Sequence, residues 1–378
     1  MKANSSCASV LAAASMIANA APMPDTYRVY FGTTAGGGER GIYMALFDTQ
    51  TGQLGEAAHV SNSVRPGFIV IHPDGKHLYA TEATGSAPAG ESGAVSAYRI
   101  EADGMLTDLN TQPSGGEGPC YISIDPTGKQ LLVANYGSGS CAVLPILPDG
   151  TLGDPTAIRR HSGSGPNPER QEAAHTHSFN CDPSGQFALA ADLGIDTILI
   201  YHLSNGTLAP NIPSVIQTAP GAGPRHLTFS PNGKFVYTSM ELNGTVSAYA
   251  YKAGALTEIQ TLPTLPTNFD GYNTVSEVRL TPDGRFLYVG NRGHESLAVF
   301  GVDLETGKLT ALGHEPTRGN HPRHFNIDPT GQFLIAANLY SNNAVVFRIN
   351  QETGQLEFTG SEITVPAATC VQFFSHTP

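Results

Sequence analysis

The sequence predicts an all-β chain: a seven-bladed β-propeller, four antiparallel strands per blade, closed by a split blade. Three observations predict it. A Pro-x-Gly turn followed by an apolar run recurs at Pro73, Pro126, Pro183, Pro231, Pro282 and Pro329, at intervals of 47 to 57 residues. A Gly-x-Leu motif recurs at Gly52, Gly104, Gly150, Gly206, Gly254, Gly307 and Gly354, alternating strictly with the first. Outside the N-terminal segment, no stretch shows the 3.6-residue apolar period of a helix.

Each repeat justifies its strands in the same order. An alternating run such as His-Leu-Thr-Phe-Ser (226–230) precedes the Pro-x-Gly turn. A second run, Lys-Phe-Val-Tyr-Thr-Ser (234–239), follows it, and a third, Thr-Val-Ser-Ala-Tyr-Ala-Tyr (245–251), lies beyond a short loop. The Gly-x-Leu turn then opens a fourth. Pro-Asp-Gly and Pro-Asn-Gly are turn chemistry, and the flanking β-branched and aromatic residues favour strands. Four strands in about 50 residues is the pattern of a propeller blade.

The chain has seven Gly-x-Leu copies and six Pro-x-Gly copies, and the mismatch lies at the ends. Tyr-Arg-Val-Tyr-Phe (27–31) reads as a second-type strand, and Thr-Cys-Val-Gln-Phe-Phe (369–374) as a first-type strand. The C-terminal strand therefore joins three N-terminal strands in one blade. This closure removes exposed sheet edges and makes residues 25–378 a single domain. Residues 1–20 read as a secretory leader, with Lys2, an apolar stretch and the small residues Ala18 and Ala20 before a cleavage point. That places the mature chain in the periplasm or outside the cell. An Ala-rich tail on a cytoplasmic protein is the alternative. Cys120, Cys141, Cys181 and Cys370 show no C-x-x-C spacing and read as free thiols in strands.

Composition excludes several functions. With 20 Lys+Arg against 32 Asp+Glu, the formal charge is −12, and no basic cluster exists to neutralise a nucleic acid backbone. No apolar run is long enough to span a bilayer.

In a repeat array, shared residues build the scaffold and departures point to function. Six residues before the turn proline stand Gly67, Cys120, His177, Arg225, Ser276 and Arg323. Five before it stand Phe68, Tyr121, Ser178, His226, Glu277 and His324. Ten after it, Glu241 and Arg292 replace residues that are otherwise apolar or aromatic. First-strand starts and second-strand ends share one end of a blade, and innermost strands line the channel. His177, Arg225, Glu241, Glu277, Arg292 and Arg323 are therefore expected around one channel mouth. Three Arg gathered in an acidic chain suit an anionic substrate or a developing oxyanion. A purely structural ion-pair network is the competing reading. Two long loops, 161–175 and 266–274, are candidate walls.

Other motifs carry less. Gly-Gly-Gly-Glu-Arg-Gly (36–41) fits G-x-G-x-x-G, but an alternating strand rather than a helix follows. His175 and His177 could face a metal only with a third ligand from a distant blade, so no metal site is assigned. No G-x-S-x-G elbow is present.

At these residues the chain resembles the seven-bladed β-propeller lactonase family, which includes propeller-type 6-phosphogluconolactonases and carboxy-cis,cis-muconate cyclases. The specific segments are Gly-Ser-Gly-Pro-Asn-Pro-Glu-Arg-Gln (163–171) with His-Thr-His-Ser (175–178), then Gly-Pro-Arg-His (223–226), Ser-Met-Glu (239–241), Val-Gly-Asn-Arg-Gly-His-Glu-Ser (289–296) and Asn-His-Pro-Arg-His-Phe (320–325). The resemblance implies hydrolysis of a sugar δ-lactone such as 6-phosphogluconolactone, with no cofactor. The family pattern of one His, two Arg and one Glu maps onto His177, Arg225, Glu241 and Arg292 as catalytic residues. Arg323, His226, Glu277 and His324 are expected to bind a small anionic or sugar-lactone substrate. His177, with a pKa expected near neutrality, or Glu241 is the candidate base. A muconate-type lactonizing cycloisomerase and a non-catalytic exported binding propeller are the alternatives.

Overall fold

The turn before each second strand is fixed by its own side chains. In the computed structural model, which describes residues 26–82 and 93–375, the six turn glycines Gly75, Gly128, Gly185, Gly233, Gly284 and Gly331 have φ of 66° to 77°. That is left-handed backbone which glycine adopts without a Cβ penalty. The residue before the proline ties the turn down. Asp125 Oδ1 accepts from the N–H groups of Lys129 and Gln130 at 2.8 and 2.7 Å. Asp182 and Asp328 repeat the bond to Phe187 and Phe333, and Ser230 and Thr281 make it with hydroxyls to Phe235 and Phe286. The register of the first two strands follows from these bonds.

Seven antiparallel sheets result. The first blade joins Ala368–Ser375 to Thr26–Thr33, followed by Ile42–Asp48 and an outer edge split into Gln53–Leu54 and Ala58–Ser61. Tyr27 to Thr33 pair with Ser375 to Ala368, so the split-blade closure forms as expected. The innermost strands of blades two to seven are Ile69–Ile71, Pro119–Ile124, Thr176–Cys181, Pro224–Phe229, Thr274–Leu280 and Pro322–Ile327. Their second strands are His77–Glu82, Gln130–Asn135, Phe187–Asp192, Phe235–Met240, Phe286–Arg292 and Phe333–Asn338. The expected fourth strand is interrupted in the third blade. There Leu152 makes only an isolated bridge to Ile146, and the ladder resumes at Ala157–Arg160, after Pro155. Residues 37–39 form a 3-10 turn that leads into a strand, which removes the dinucleotide motif. The leader, residues 1–20, lies outside the described residues. Among the described residues, no helix is long and apolar enough to cross a membrane, and the four cysteines are free thiols.

The Gly-x-Leu motif is the seam between blades. All seven of its glycines have φ between 71° and 92°. Each packs against the preceding blade: Gly52 on Phe333, Gly104 on Met44 and Arg28, Gly150 on His77, Gly206 on Thr156, Gly254 on Phe187, Gly307 on Phe235 and Gly354 on Phe286. A Cβ at Gly354 would lie 2.3 Å from Phe286 Cδ1. At four seams a buried tyrosine of the preceding blade donates to the glycine carbonyl. Tyr30, Tyr79, Tyr237 and Tyr288 reach Gly104, Gly150, Gly307 and Gly354 at 2.8 to 3.1 Å. The next glycine along the last blade, Gly360, is also left-handed but has nothing near its Cβ position.

This pair separates backbone strain from seam packing. Gly360→Ala is expected to cost about 1 kcal/mol, the left-handed penalty alone. Gly354→Ala is expected to add about 1–3 kcal/mol for forcing a methyl into a filled seam. Chemical denaturation of both variants checks this, and equal losses would mean that the seam contact contributes nothing.

Candidate functional site

The departures from the repeat fall where the innermost strands are irregular. Strand pairing slips between Thr176 and Ser178, between Pro224 and Leu227, between Val275 and Val278, and between Pro322 and His324. The skipped residues are His177, Arg225, His226, Ser276, Glu277 and Arg323. A bulge re-aims side chains that would otherwise alternate across the sheet. Neighbours such as Arg225 and His226 can therefore both face the axis, and Arg225 Nη1 lies 3.1 Å from the His226 ring nitrogens.

His177, Arg225, Glu241 and Arg292 come together. The Glu241 carboxylate, on the residue after its second strand, is their centre. Its Oε2 is 2.9 Å from Arg225 Nε, 3.0 Å from Arg292 Nη2 and 3.8 Å from His177 Nε2. Its Oε1 accepts from Arg170 Nη2 at 2.6 Å. The two contacts on Oε2 are ion pairs by distance but are not aligned as hydrogen bonds, so this buried oxygen and Arg225 Nε keep unused bonding capacity. Arg292 is oriented by its bond to the Val275 carbonyl at 2.7 Å. Above this group opens a cavity of about 760 Å³ lined by His177, Glu241, Arg292, Arg323, Cys120 and Tyr136 among others.

Burial and charge set the protonation states. Burial alone would raise the Glu241 pKa, but Arg292, Arg225, His177 and Arg170 hold it well below the ordinary carboxylate range. His177 departs from expectation. Burial, then Arg225, drives its pKa well below 6.5 against the opposing pull of Glu241, so the ring is neutral rather than poised near pH 7. Burial, Arg292 and Arg323 lower Arg225 to about 9, and Glu241 offsets part of this. A guanidinium so placed is still a cation at neutral pH. Burial and Arg292 likewise take His321 to about 4. Among the described residues, Arg170, Arg292 and Arg323 line the cavity with two carboxylates, Glu241 and Glu295, and Arg225 pairs with Glu241.

Glu277, His226 and His324 do not line this cavity; His226 and His324 line a smaller one of about 160 Å³ that adjoins it. They form a separate buried layer. Glu277 Oε2 lies 3.0 Å from His226 Nδ1 and 3.0 Å from His324 Nε2, with Arg279 Nε 3.4 Å from Oε1. His324 Nδ1 accepts from the Val371 N–H at 3.3 Å, which leaves the proton on Nε2 to donate to Glu277. His226 donates from Nδ1 to Glu277, so its Nε2 can accept from Arg225 Nη1. Phe68 and Tyr121 pack edge-to-face around the two imidazoles. Glu277 stands five residues before its turn proline, the same repeat position as His226 and His324, while Ser276, six before it, bonds the Pro322 carbonyl at 2.7 Å.

Sequence reasoning missed Arg170, Tyr272, Glu295, His321 and Tyr340, all of which line the cavity. Arg170 and Tyr272 do lie on the two loops expected as walls. Those loops have no counterpart in other repeats, so alignment gave no position to inspect. His175 turns away from His177. Its Nδ1 lies 2.9 Å from the Tyr136 carbonyl and its Nε2 3.0 Å from Glu172, which removes the paired-imidazole arrangement. Among the described residues, His72, Asp74 and His77 form a group compact enough for a metal. It sits at the Pro-x-Gly end, opposite the cavity, and is bonded within itself.

Comparison with known proteins agrees with this architecture. Residues 28–373 match the family described as "Lactonase, 7-bladed beta-propeller". A Bacillus subtilis 6-phosphogluconolactonase is 39% identical over 92% of this chain and 98% of its own length. A Serratia proteamaculans 6-phosphogluconolactonase is 38% identical over 75% of this chain and 80% of its own length. The structure of the Pseudomonas aeruginosa periplasmic gluconolactonase superposes with a TM-score of 0.87 at 32% identity, covering 93% of this chain and all of that one. With the family match and this likeness running nearly end to end, the chain belongs to the seven-bladed β-propeller lactonase family.

Proposed function

We propose that this chain hydrolyses a sugar δ-lactone, of the type of 6-phosphogluconolactone, to the open acid in the cavity above Glu241. The observation that carries the reading is a buried carboxylate braced by three guanidinium groups beside a neutral imidazole. The names of the relatives support the lactone class.

Hydrolysis needs a base for water, a partner for the carbonyl oxygen and a proton for the leaving ring oxygen. His177 is neutral, so Nε2 is free to take a proton as water attacks the carbonyl carbon. Glu241, 3.8 Å away, stabilises the imidazolium that forms. Arg292, which lines the cavity, holds the oxyanion of the tetrahedral intermediate, and Arg225 pairs with Glu241 beside it. The ring C–O bond then breaks, and the imidazolium returns its proton to the ring oxygen. Glu241, locked by arginines, is a weaker base and serves to position the guanidinium groups. His226 is a positioning residue for Arg225, since it joins that guanidinium to Glu277.

His177→Ala is expected to lower kcat about 10²–10⁴-fold while the protein remains folded. Steady-state assay of a lactone that the wild type opens checks this, and unchanged turnover removes His177 from the chemistry. The pH profile gives a second check. A base must be unprotonated to act, and the lowered pKa keeps His177 in that form below pH 6.5. With the neutral glucono-δ-lactone, kcat/KM is therefore expected to stay level through pH 6.5 and to fall only below the ordinary histidine range. An acid limb centred at 6.5 or above contradicts the assignment.

Export is part of the proposal. The small, apolar N-terminal segment supports it, as does a structural relative named as periplasmic. Mass spectrometry of the mature protein is expected to find a chain beginning at Ala21. An intact N-terminus in the soluble cytoplasmic fraction would overturn this reading.

A further inference from the structure

The turn at Pro73 departs from the other Pro-x-Gly turns in two places. The residue before the proline is Asp125, Asp182, Ser230, Thr281 or Asp328 elsewhere and His72 here. Four residues after the proline stand Gln130, Phe187, Phe235, Phe286 or Phe333 elsewhere and His77 here. Neither residue lines the cavity above Glu241. The turn itself is held by Asp74, whose Oδ1 accepts from the Lys76 N–H at 2.8 Å.

Both imidazoles converge on that carboxylate. His72 Nδ1 lies 2.9 Å from Asp74 Oδ1, and His77 Nδ1 lies 2.8 Å from Oδ2. One donor atom from each of the three residues lies within 4.8 Å of the other two. His72 Nε2 is 2.7 Å from the Gly128 carbonyl. A carbonyl only accepts, so the ring proton sits on Nε2 and Nδ1 presents a lone pair, which the Asp74 N–H meets at 3.1 Å. The same lone pair faces a carboxylate oxygen, an arrangement that needs positive charge between the two. A metal ion supplies that charge and engages His77 at the same time. A second ring proton is the competing source, and it brings no metal affinity.

The surroundings suit an ion. Histidine ligands are commonly oriented by a carbonyl on the nitrogen that does not bind the metal, and Gly128 holds His72 in that way. His77 packs against the seam glycine Gly150. Both rings belong to the second blade and rest on the third. The three residues line a cavity of about 490 Å³, whose other charged lining residue, Lys129, is exposed and keeps its ammonium in water.

We propose that His72, Asp74 and His77 bind a divalent transition-metal ion of the zinc class. Two nitrogens and a carboxylate oxygen select such an ion over Mg²⁺ and Ca²⁺, which take oxygen ligands. Binding keeps the tautomer His72 already has and moves the His77 ring proton from Nδ1 to Nε2. The site is separate from the lactone chemistry. Its consequence is to brace the seam between the second and third blades, because an ion that fixes both rings also fixes the blade they rest on.

Isothermal titration of ZnCl₂ into the full chain, after dialysis against EDTA, tests this. One equivalent is expected to bind, and His72→Ser and His77→Gln are each expected to weaken it about tenfold or more. Ser230 and Gln130 occupy the same positions in other turns, so both replacements keep the blade. Thermal unfolding gives a second readout: Zn²⁺ is expected to raise the Tm of the wild type by several degrees and that of each variant by less. MgCl₂ is expected to show no binding. Absence of a one-equivalent Zn²⁺ site, a Zn²⁺ affinity unmoved by either replacement, or Mg²⁺ bound as tightly as Zn²⁺ overturns the proposal.

Discussion

Placing one carboxylate among four arginines is the constraint on which the rest of the site depends. Without Glu241, Arg170, Arg225 and Arg292 would repel one another in a buried space, with Arg323 close by. Burying cations costs more than a single contact returns unless the geometry is held from outside. The propeller supplies that support. Arg225, Glu241, Arg292 and Arg323 come from three consecutive blades, and Arg170 comes from the loop before the fourth. Their separations are set by blade spacing rather than by local chain preference. The glycine seams, by fixing how closely blades approach, therefore also fix the distances around Glu241.

The two buried layers work as one unit. Glu277 gathers Arg279, His226 and His324 as Glu241 gathers its arginines. Both carboxyls are held well below their usual range because the neighbouring cations and imidazoles outweigh burial. The link is Arg225, with Nε toward Glu241 and Nη1 toward His226. A change in the lower layer thus reaches the cavity through the orientation of one guanidinium. This gives His226 and Glu277 a role through Arg225 and not through contact with substrate in the larger cavity.

The fold was legible because both repeated motifs are backbone requirements. Pro-x-Gly marks a turn with a left-handed glycine, and Gly-x-Leu marks a seam with no room for a Cβ. The turn is held by local bonds, and the seam, though it joins distant residues, recurs once in every blade. The four residues around Glu241 were legible as departures from that repeat. Glu277 was expected at the mouth, yet it stands five residues before its turn proline, in the column of His226 and His324, with which it forms the buried layer. Ser276 fills the column of His177, Arg225 and Arg323, so the repeat itself separates the two layers. His177 was expected near neutrality for a different reason. Its environment is made by Arg225 and Arg323, 48 and 146 positions away by residue number, and by burial under loops that alignment does not place.

The lowered basicity of His177 and the surplus of arginine bear on each other. The imidazolium that forms during water attack is opposed by burial and by the charges of Arg225 and Arg323. An oxyanion on the substrate carbonyl, or an anion elsewhere on the substrate, cancels part of that positive field. The cancellation is greatest when the tetrahedral oxyanion has formed, which is also when the imidazolium exists. The arginines therefore stabilise the transition state twice, by pairing with the oxyanion and by ceasing to oppose the protonated His177. An interaction that strengthens only as the reaction proceeds lowers the barrier, whereas one equally strong at the start does not. In the resting site these arginines are satisfied only in part, as the unaligned contacts of Arg225 and Arg292 on Glu241 Oε2 show. That bonding capacity remains available for the charge the reaction creates.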